Sequence, residues 1–534
     1  MSKKIIAAGV AVALGMTLVS SIPVPAQPQI AAESARYLEQ RIDWRLCFDP
    51  QDVPKDLPPG SGRLECGSYT VPRDWRQPDG QHDLTIAVSR LRPANGAPKG
   101  TVLTNPGGPG IPGRSMPLLL LRAARTAVLD NMEVIGIDVR GLGGSTNVSC
   151  GQYSGFSLDP RDQSEGNLDL LHGANDLYAR FCQAKSGELG RYISTEQTVQ
   201  DFDLLRHLLG RQKVNWLGYS GGTWLGAYYA TYFPTRVDRF VFDSVMDVTG
   251  TWEDDQFRAP AAVERRFRGD FTPWVARYDQ LYHLGATGDA VRQSYERVRA
   301  VLAERPVRVP QSGPIDAVAL DSTLSTVMYD KRYFPQAAEY LSALRTVADR
   351  PADDPEIGTA LAQLAELTPM LKTVLVRLIG GAVPFGVNVD SWAATRLSIQ
   401  CNDTPAHDWT DNLHTMQRLG SAYPLRGYSV LWPCSSWKRP QGQLETPTGQ
   451  GLPPVLLVQS VNDPGTAREG AEQTHRTFAN SRLLTVIDEG DHGIYANGND
   501  CVDTIVESFL VDGVTPAQDL TCNGIPLPEP TRQG

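Results

Sequence analysis

Stretches that alternate strand with helix occupy both ends of this chain and are missing from its middle, and few architectures tolerate that interruption. Apolar runs at 84–91, 101–104, 133–139, 214–219 and 239–243 read as strands, with helical stretches at 116–130, 201–210 and 223–233 among them. Ser194 and Gln197 form a capping box ahead of the second helix. The alternation resumes with strands at 454–460 and 482–487 and a helix at 467–478 between them. A last helix carries Val502, Ile505, Val506 and Phe509 on one face. Strands joined by helices imply a mostly parallel sheet covered on both faces. From about 247 to 448 the chain reads as helix-rich with few strand-like runs, which is the pattern of an inserted cap domain. The expected division is an α/β core over 27–246 and 449–534, with a helical cap over 247–448.

The 534 residues exceed the roughly 250 to 300 at which a single core stops growing, in keeping with such an insertion. Residues 1–26 read as an export signal: Lys3 and Lys4, an apolar stretch over 5–19, then Val24-Pro25-Ala26 as a small-residue cleavage site. That stretch is 15 residues, short of the roughly 20 a spanning helix needs, and no later segment is apolar enough, so no membrane attachment is expected after signal removal. A secreted, extracellular monomer is expected. Formal net charge is −10 without any basic block, which makes nucleic acid a poor partner. Eight cysteines, an even number, fit an oxidising compartment. Short loops close most easily, so neighbours are paired: Cys47–Cys66, Cys150–Cys182, Cys401–Cys434 and Cys501–Cys522. With neither C-x-x-C nor H-E-x-x-H present, no metal is assigned, and no cofactor is expected.

"GYSGG", 218–222, fits the G-x-S-x-G nucleophile elbow, and it lies between a predicted strand and a predicted helix as that turn demands. A serine hydroxyl is a weak nucleophile without a base, and the base needs an orienting acid; in α/β-hydrolases they follow in the order Ser, Asp or Glu, His. Of the later histidines, His414 falls in the cap and His475 inside a helix. His492, in "DEGDHG" just past a strand, sits where such folds keep catalytic groups. Asp463 in "VQSVNDPGT" is the preferred acid, with Asp243 at the end of another strand as its rival. Asp491 adjoins His492 and points away from it on an extended segment.

"NPGGPGIPG", 105–113, follows a strand with almost no side chain. Gly108-x-Gly110-x-x-Gly113 matches the dinucleotide fingerprint literally, but Pro109 and Pro112 remove amide donors that a pyrophosphate would need. A rigid surface turn is the plain alternative. An acyl-transfer site needs two preorganised backbone N–H groups, and Gly221, after the serine, with Gly108 in this loop can supply them.

Taken together, "NPGGPG", "IDVRGLGGS" (137–145), "LGYSGGTWLGAYYATYFP" (217–234), "YHLG" (282–285), "CND" (401–403) and "GLPPVLLVQSVND" (451–463) through "DHG" resemble the secreted bacterial tripeptidyl aminopeptidases, serine α/β-hydrolases related to the proline iminopeptidases. The chain departs from them in running Ile111-Pro112-Gly113 where Gly-Ser-Gly is usual, and in Val139 where proline is usual. The resemblance implies Ser220, Asp463 and His492 as triad, Gly108 and Gly221 as oxyanion hole, and release of N-terminal tripeptides from a free α-amine. An exopeptidase must hold that ammonium with carboxylates. Asp254, Asp255, Glu264 and Asp403 are the cap candidates, Glu264 and Asp403 being selected, although each also fits a solvated surface charge. The expected function is an exported serine hydrolase, an aminopeptidase acting through an acyl-enzyme on Ser220. An esterase or amidase acting on a small-molecule acyl substrate is the alternative, and a non-catalytic binding protein fits an intact triad poorly.

Overall fold

The computed structural model describes residues 35–530 apart from 153–156, 310–311, 352, 373, 375–384, 387, 431–432 and 439–443. The export segment expected at 1–26 lies outside the described residues. Among the described residues twelve strands run in chain order: β1 Arg45–Leu46, β2 Glu65–Pro72, β3 Asp83–Leu91, β4 Gly100–Asn105, β5 Met132–Ile137, β6 Val214–Tyr219, β7 Val237–Asp243, β8 Val307–Val309, β9 Gly313–Ile315, β10 Val455–Ser460, β11 Ser481–Ile487 and β12 Leu520–Asn523. Ten of them form one sheet in the order β1-β2-β3-β5-β4-β6-β7-β10-β11-β12. The β1–β2, β2–β3 and β3–β5 pairs are antiparallel and the rest parallel.

The central strands β5, β6 and β10 are buried along their whole length because both of their faces are covered. Side chains alternate between two cores. Trp216, Phe240, Phe242 and Leu457 enter one, where helices Thr195–Leu208 and Gly221–Tyr232 pack. Leu217, Val241, Leu456 and Val458 enter the other, beneath helices Met116–Arg122 and Asp500–Glu507. Each large apolar side chain so buried contributes about 1.5–3 kcal/mol, and the sheet centre becomes the rigid base on which the loops at the carboxyl ends of the strands stand.

Between β7 and β10 the chain is largely helical, and much of it packs around its own core of Phe267, Phe271, Trp274, Leu320 and Phe334. The short hairpin β8–β9 lies inside it, a pairing too brief to stand out in the sequence. The helix expected over 116–130 divides into Met116–Arg122 and Thr126–Asn131. Ala124 takes φ 53 at the break, while Arg125 bonds the Ala123 carbonyl at 2.8 Å and reaches the buried Asp503. A long-range ion pair has overridden a local helical preference. The capping box is half formed: Ser194 accepts the Gln197 N–H, whereas the Gln197 side chain turns to Trp75 N and Asp74. Disulfides join Cys47 to Cys66, Cys150 to Cys182, Cys401 to Cys434 and Cys501 to Cys522.

Candidate active site

Ser220 follows β6 and precedes the helix Gly221–Tyr232, with φ 54 and ψ −125. That conformation costs a non-glycine residue about 1–3 kcal/mol and persists only where the surroundings enforce it. They do so by crowding. A Cβ on Gly218 would stand 2.4 Å from the Gly222 carbonyl oxygen, and one on Gly222 would stand 2.5 Å from that of Asn105. Trp216 Nε1 donates to the Gly222 carbonyl at 3.1 Å, and Ser220 N donates to the Asp243 carbonyl at 2.9 Å. The turn is thus clamped from the sheet on both sides.

Asp463, three residues past β10, is wholly buried, and its own turn fixes it: Oδ1 accepts from Gly465 N at 2.8 Å and Thr466 N at 2.9 Å. His492 Nδ1 lies 2.8 Å from Oδ1 and 3.0 Å from Oδ2 of the same carboxylate. With Nδ1 donating to that acid, Nε2 is left as the acceptor nitrogen. The ring sits edge-on against Tyr329, and His492 N donates to the Tyr329 carbonyl at 3.0 Å. Burial disfavours the imidazolium, but Asp463, supported by Asp243 and Asp255, outweighs it and raises the His492 pKa above its ordinary value. Ser220 and His492 line one cavity of about 550 Å³.

The rival acids have other duties. Asp243 accepts the backbone N–H groups of Ile494 at 3.0 Å and Tyr495 at 2.6 Å, and burial pushes its carboxyl up to about 7. Asp491 accepts from the Arg266 guanidinium and from Lys331 N. His414 is exposed on helix Trp409–Ala422, and His475 bonds Ser481 and Asp519.

The glycine loop leaves β4 with Asn105 Oδ1 accepting the Gly107 N–H at 2.9 Å. Gly107, Gly108 and Gly110 all take positive φ, at 91°, 109° and 87°. A Cβ on Gly107 would lie 2.3 Å from the Tyr219 carbonyl, so the loop presses directly on the elbow. Gly108 N would lie 3.2 Å from a Cβ on Gly221, so the two residues are packed against each other. Among the described residues neither N–H has a hydrogen-bond acceptor. On its far side the loop meets helix Val389–Asp403: a Cβ on Gly110 would lie 3.0 Å from Arg396 N.

The selected cap carboxylates, Glu264 and Asp403, are both buried rather than solvated, and neither lines the cavity. Glu264 pairs with Arg268. Asp403 accepts from Thr195 N at 2.9 Å, Thr195 Oγ1 at 2.6 Å and Trp252 Nε1 at 3.1 Å. Asp254 completes a capping box with Thr251. The carboxylate that does face the cavity is Asp255, pushed up to about 7 by burial. Helical geometry explains the exchange. Trp252, Asp255, Gln256 and Ala259 share the cavity-facing side of helix Trp252–Arg266, while Glu264, nine residues beyond Asp255, falls half a turn away. The cavity wall also carries Tyr329, Arg396 and Arg426, which no local motif marks.

A tripeptidyl aminopeptidase of Streptomyces coelicolor is 32% identical to this chain, over 94% of this chain and 89% of its own length. The chain belongs to the tripeptidyl aminopeptidase family. A tripeptidyl aminopeptidase of Streptomyces lividans matches at the same 32% identity, covering 94% of this chain and 90% of its own. Serine protease Hip1 of Mycobacterium tuberculosis is 26% identical over 91% of each chain. The alpha/beta hydrolase fold family model matches residues 100–282 and the TAP-like protein model residues 423–522. This tripeptidyl aminopeptidase homologue is accordingly an α/β-hydrolase and a serine peptidase.

Proposed function

We propose that this enzyme is exported and releases short peptides, tripeptides foremost, from substrates with a free α-amine, through an acyl-enzyme on Ser220. The observation that carries the proposal is the Asp463–His492 bond beside the strained Ser220 turn, with Asp255 on the wall of the same cavity. His492 Nε2 takes the Ser220 proton as the hydroxyl oxygen attacks the scissile carbonyl carbon, and later returns it to the leaving amine. Asp463 holds the tautomer and stabilises the imidazolium that forms. The Gly108 and Gly221 N–H groups, neither of them bonded among the described residues, receive the oxyanion; losing one such donor typically costs about 3–4 kcal/mol of transition-state stabilisation. Asp255 receives the substrate ammonium, and residues 247–448 act as a cap that admits chain ends and excludes folded proteins. Export is supported by the charged and apolar N-terminus and by the four disulfides.

The test is a set of initial rates on a chromogenic tripeptide amide, its N-acetylated twin and a short-chain neutral ester, with Ser220→Ala as control. The proposal expects fast cleavage of the free-amine peptide alone, reduced by roughly 10⁴ to 10⁶ in the control. Equal turnover of the blocked peptide or the ester would overturn the aminopeptidase assignment in favour of an esterase or amidase.

A further inference from the structure

Elsewhere in this molecule buried and half-buried guanidiniums are given acids. Arg140 bonds Asp201 at 2.6 and 2.7 Å, Arg299 bonds Asp159 at 2.6 Å and Asp321 at 2.8 Å, and Arg114 bonds Asp138 at 2.6 Å. Two arginines on the wall of the catalytic cavity break this habit. Arg396, on helix Val389–Asp403, and Arg426, just before the turn Gly427–Ser429, both line the cavity that holds Ser220 and His492. Among the described residues neither guanidinium has a carboxylate or any other hydrogen-bond acceptor. Arg396 is held below its ordinary value by burial and by the charge of Arg426. Arg332 shares the cavity but is already bound to Asp330 at 2.6 to 3.0 Å. The single acid among the described lining residues is Asp255.

Two like charges on the wall of one partly dry cavity, neither bonded to an acid among the described residues, are unfavourable unless something anionic arrives to pair with them. Guanidinium forks suit a planar carboxylate. We propose that Arg396 and Arg426 form a carboxylate-binding subsite, so that the preferred substrate carries an anionic carboxylate close to the bond that Ser220 attacks. This rests on the reading of Ser220 as the nucleophile for peptides. The carboxylate comes either from an acidic side chain in the released peptide or from the free C-terminus of a short substrate; the chemistry read by the arginines is the same.

The experiment compares matched substrates that differ only in charge. Tripeptide anilides carry Asp or Glu at each position in turn against Asn or Gln; short peptides carry a free C-terminus against a C-terminal amide; and nitrophenyl hemisuccinate is set against the butyrate ester. The wild-type enzyme should favour the anionic member of at least one pair by roughly 10- to 100-fold in kcat/KM. In Arg396→Gln and in Arg426→Gln that ratio should collapse to within about threefold, the size of a solvated ion pair, with covalent fluorophosphonate labelling of Ser220 confirming that each variant is folded. Which pair responds identifies the source of the carboxylate. A wild-type ratio within about threefold in every pair overturns the subsite, and if the neutral tripeptide anilide is still cleaved the peptidase reading survives. A preference for the hemisuccinate that both variants lose, with no peptide turned over, keeps the subsite and overturns the peptidase reading. A ratio that persists in both variants also overturns the subsite.

Discussion

Asp243 Oδ2 accepts the backbone N–H of Tyr495 at 2.6 Å, and its carboxylate also takes the N–H of Ile494, so the acid that ends β7 fastens the loop three and two residues beyond His492. It holds the backbone of the loop while Asp463 holds the imidazole. Removing it should loosen the histidine without removing any reacting group. Asp243→Ala is expected to lower stability by about 1–3 kcal/mol, the cost of leaving buried donors unpaired, and to lower kcat with little change in KM. Asp243→Asn keeps one acceptor oxygen and should recover part of both. Urea unfolding alongside steady-state rates separates the two contributions.

Asp463→Asn should leave the fold nearly intact, because Gly465 N and Thr466 N can still find the amide oxygen. It should lower kcat by about 10⁴ by favouring the wrong imidazole tautomer. Wild-type stability in the same denaturation assay with kcat lowered by less than about tenfold would show that another acid serves His492.

The pH profile follows from the signs of the shifts. His492 must be neutral to act as base and its pKa is raised, so kcat/KM should fall as pH drops through a value above the ordinary histidine value. Asp255, raised to about 7, must be ionised to hold an ammonium, which steepens the same acid limb. A substrate α-amine loses its proton near pH 7.7–8.0, about the ordinary amino-terminal value, giving an alkaline limb. Asp255→Asn should abolish the advantage of free-amine over N-acetylated substrates and remove that alkaline limb. For stability the sign is opposite to that of a salt-bridged acid: a carboxyl whose folded pKa is raised contributes most below its unfolded value and loses that contribution as pH rises through about 7. Asp255→Asn should therefore raise the melting temperature at pH 8 more than at pH 5.

Two glycines separate crowding from simple flexibility. Gly222→Ala forces a Cβ to 2.5 Å from a backbone oxygen of Asn105 and should abolish both activity and well-folded expression. Gly173, exposed within helix Glu165–Ser186, has nothing within 4 Å of where a methyl would stand, so Gly173→Ala should stabilise, by about 0.5–1 kcal/mol. Thermal unfolding of the pair checks both signs.

The elbow was legible in the sequence because its two requirements are local. A strand buried on both faces leaves a largely apolar run, and a turn pressed against neighbouring backbone leaves glycines at 218, 221 and 222. Asp463 and Asp243 were harder to separate, since both follow strands of the same sheet; they differ in whether they reach the His492 ring or the backbone beyond it, which is a three-dimensional fact. The cap acids were not legible. Asp255 and Glu264 lie on one helix, and only its docking decides which side looks into the cavity. Arg396 and Arg426 are 30 positions apart in sequence, and what distinguishes them, the want of a partner among the described residues, leaves no mark on their neighbours.

Gly110 lies so close to the main chain of Arg396 that a side chain between them would stand 3.0 Å from the Arg396 nitrogen. The helix that carries Arg396 is therefore propped against the loop that carries Gly108, one of the two proposed oxyanion donors. Evolution toward a new diet has unequal routes through this enzyme. With the proposed roles, exchanges at Arg426 or Asp255 should alter what is admitted and leave the loop alone, whereas a change that tilts helix Val389–Asp403 should drag the rate along with the preference. Descendants with altered taste should accumulate their differences on the far walls of the cavity first.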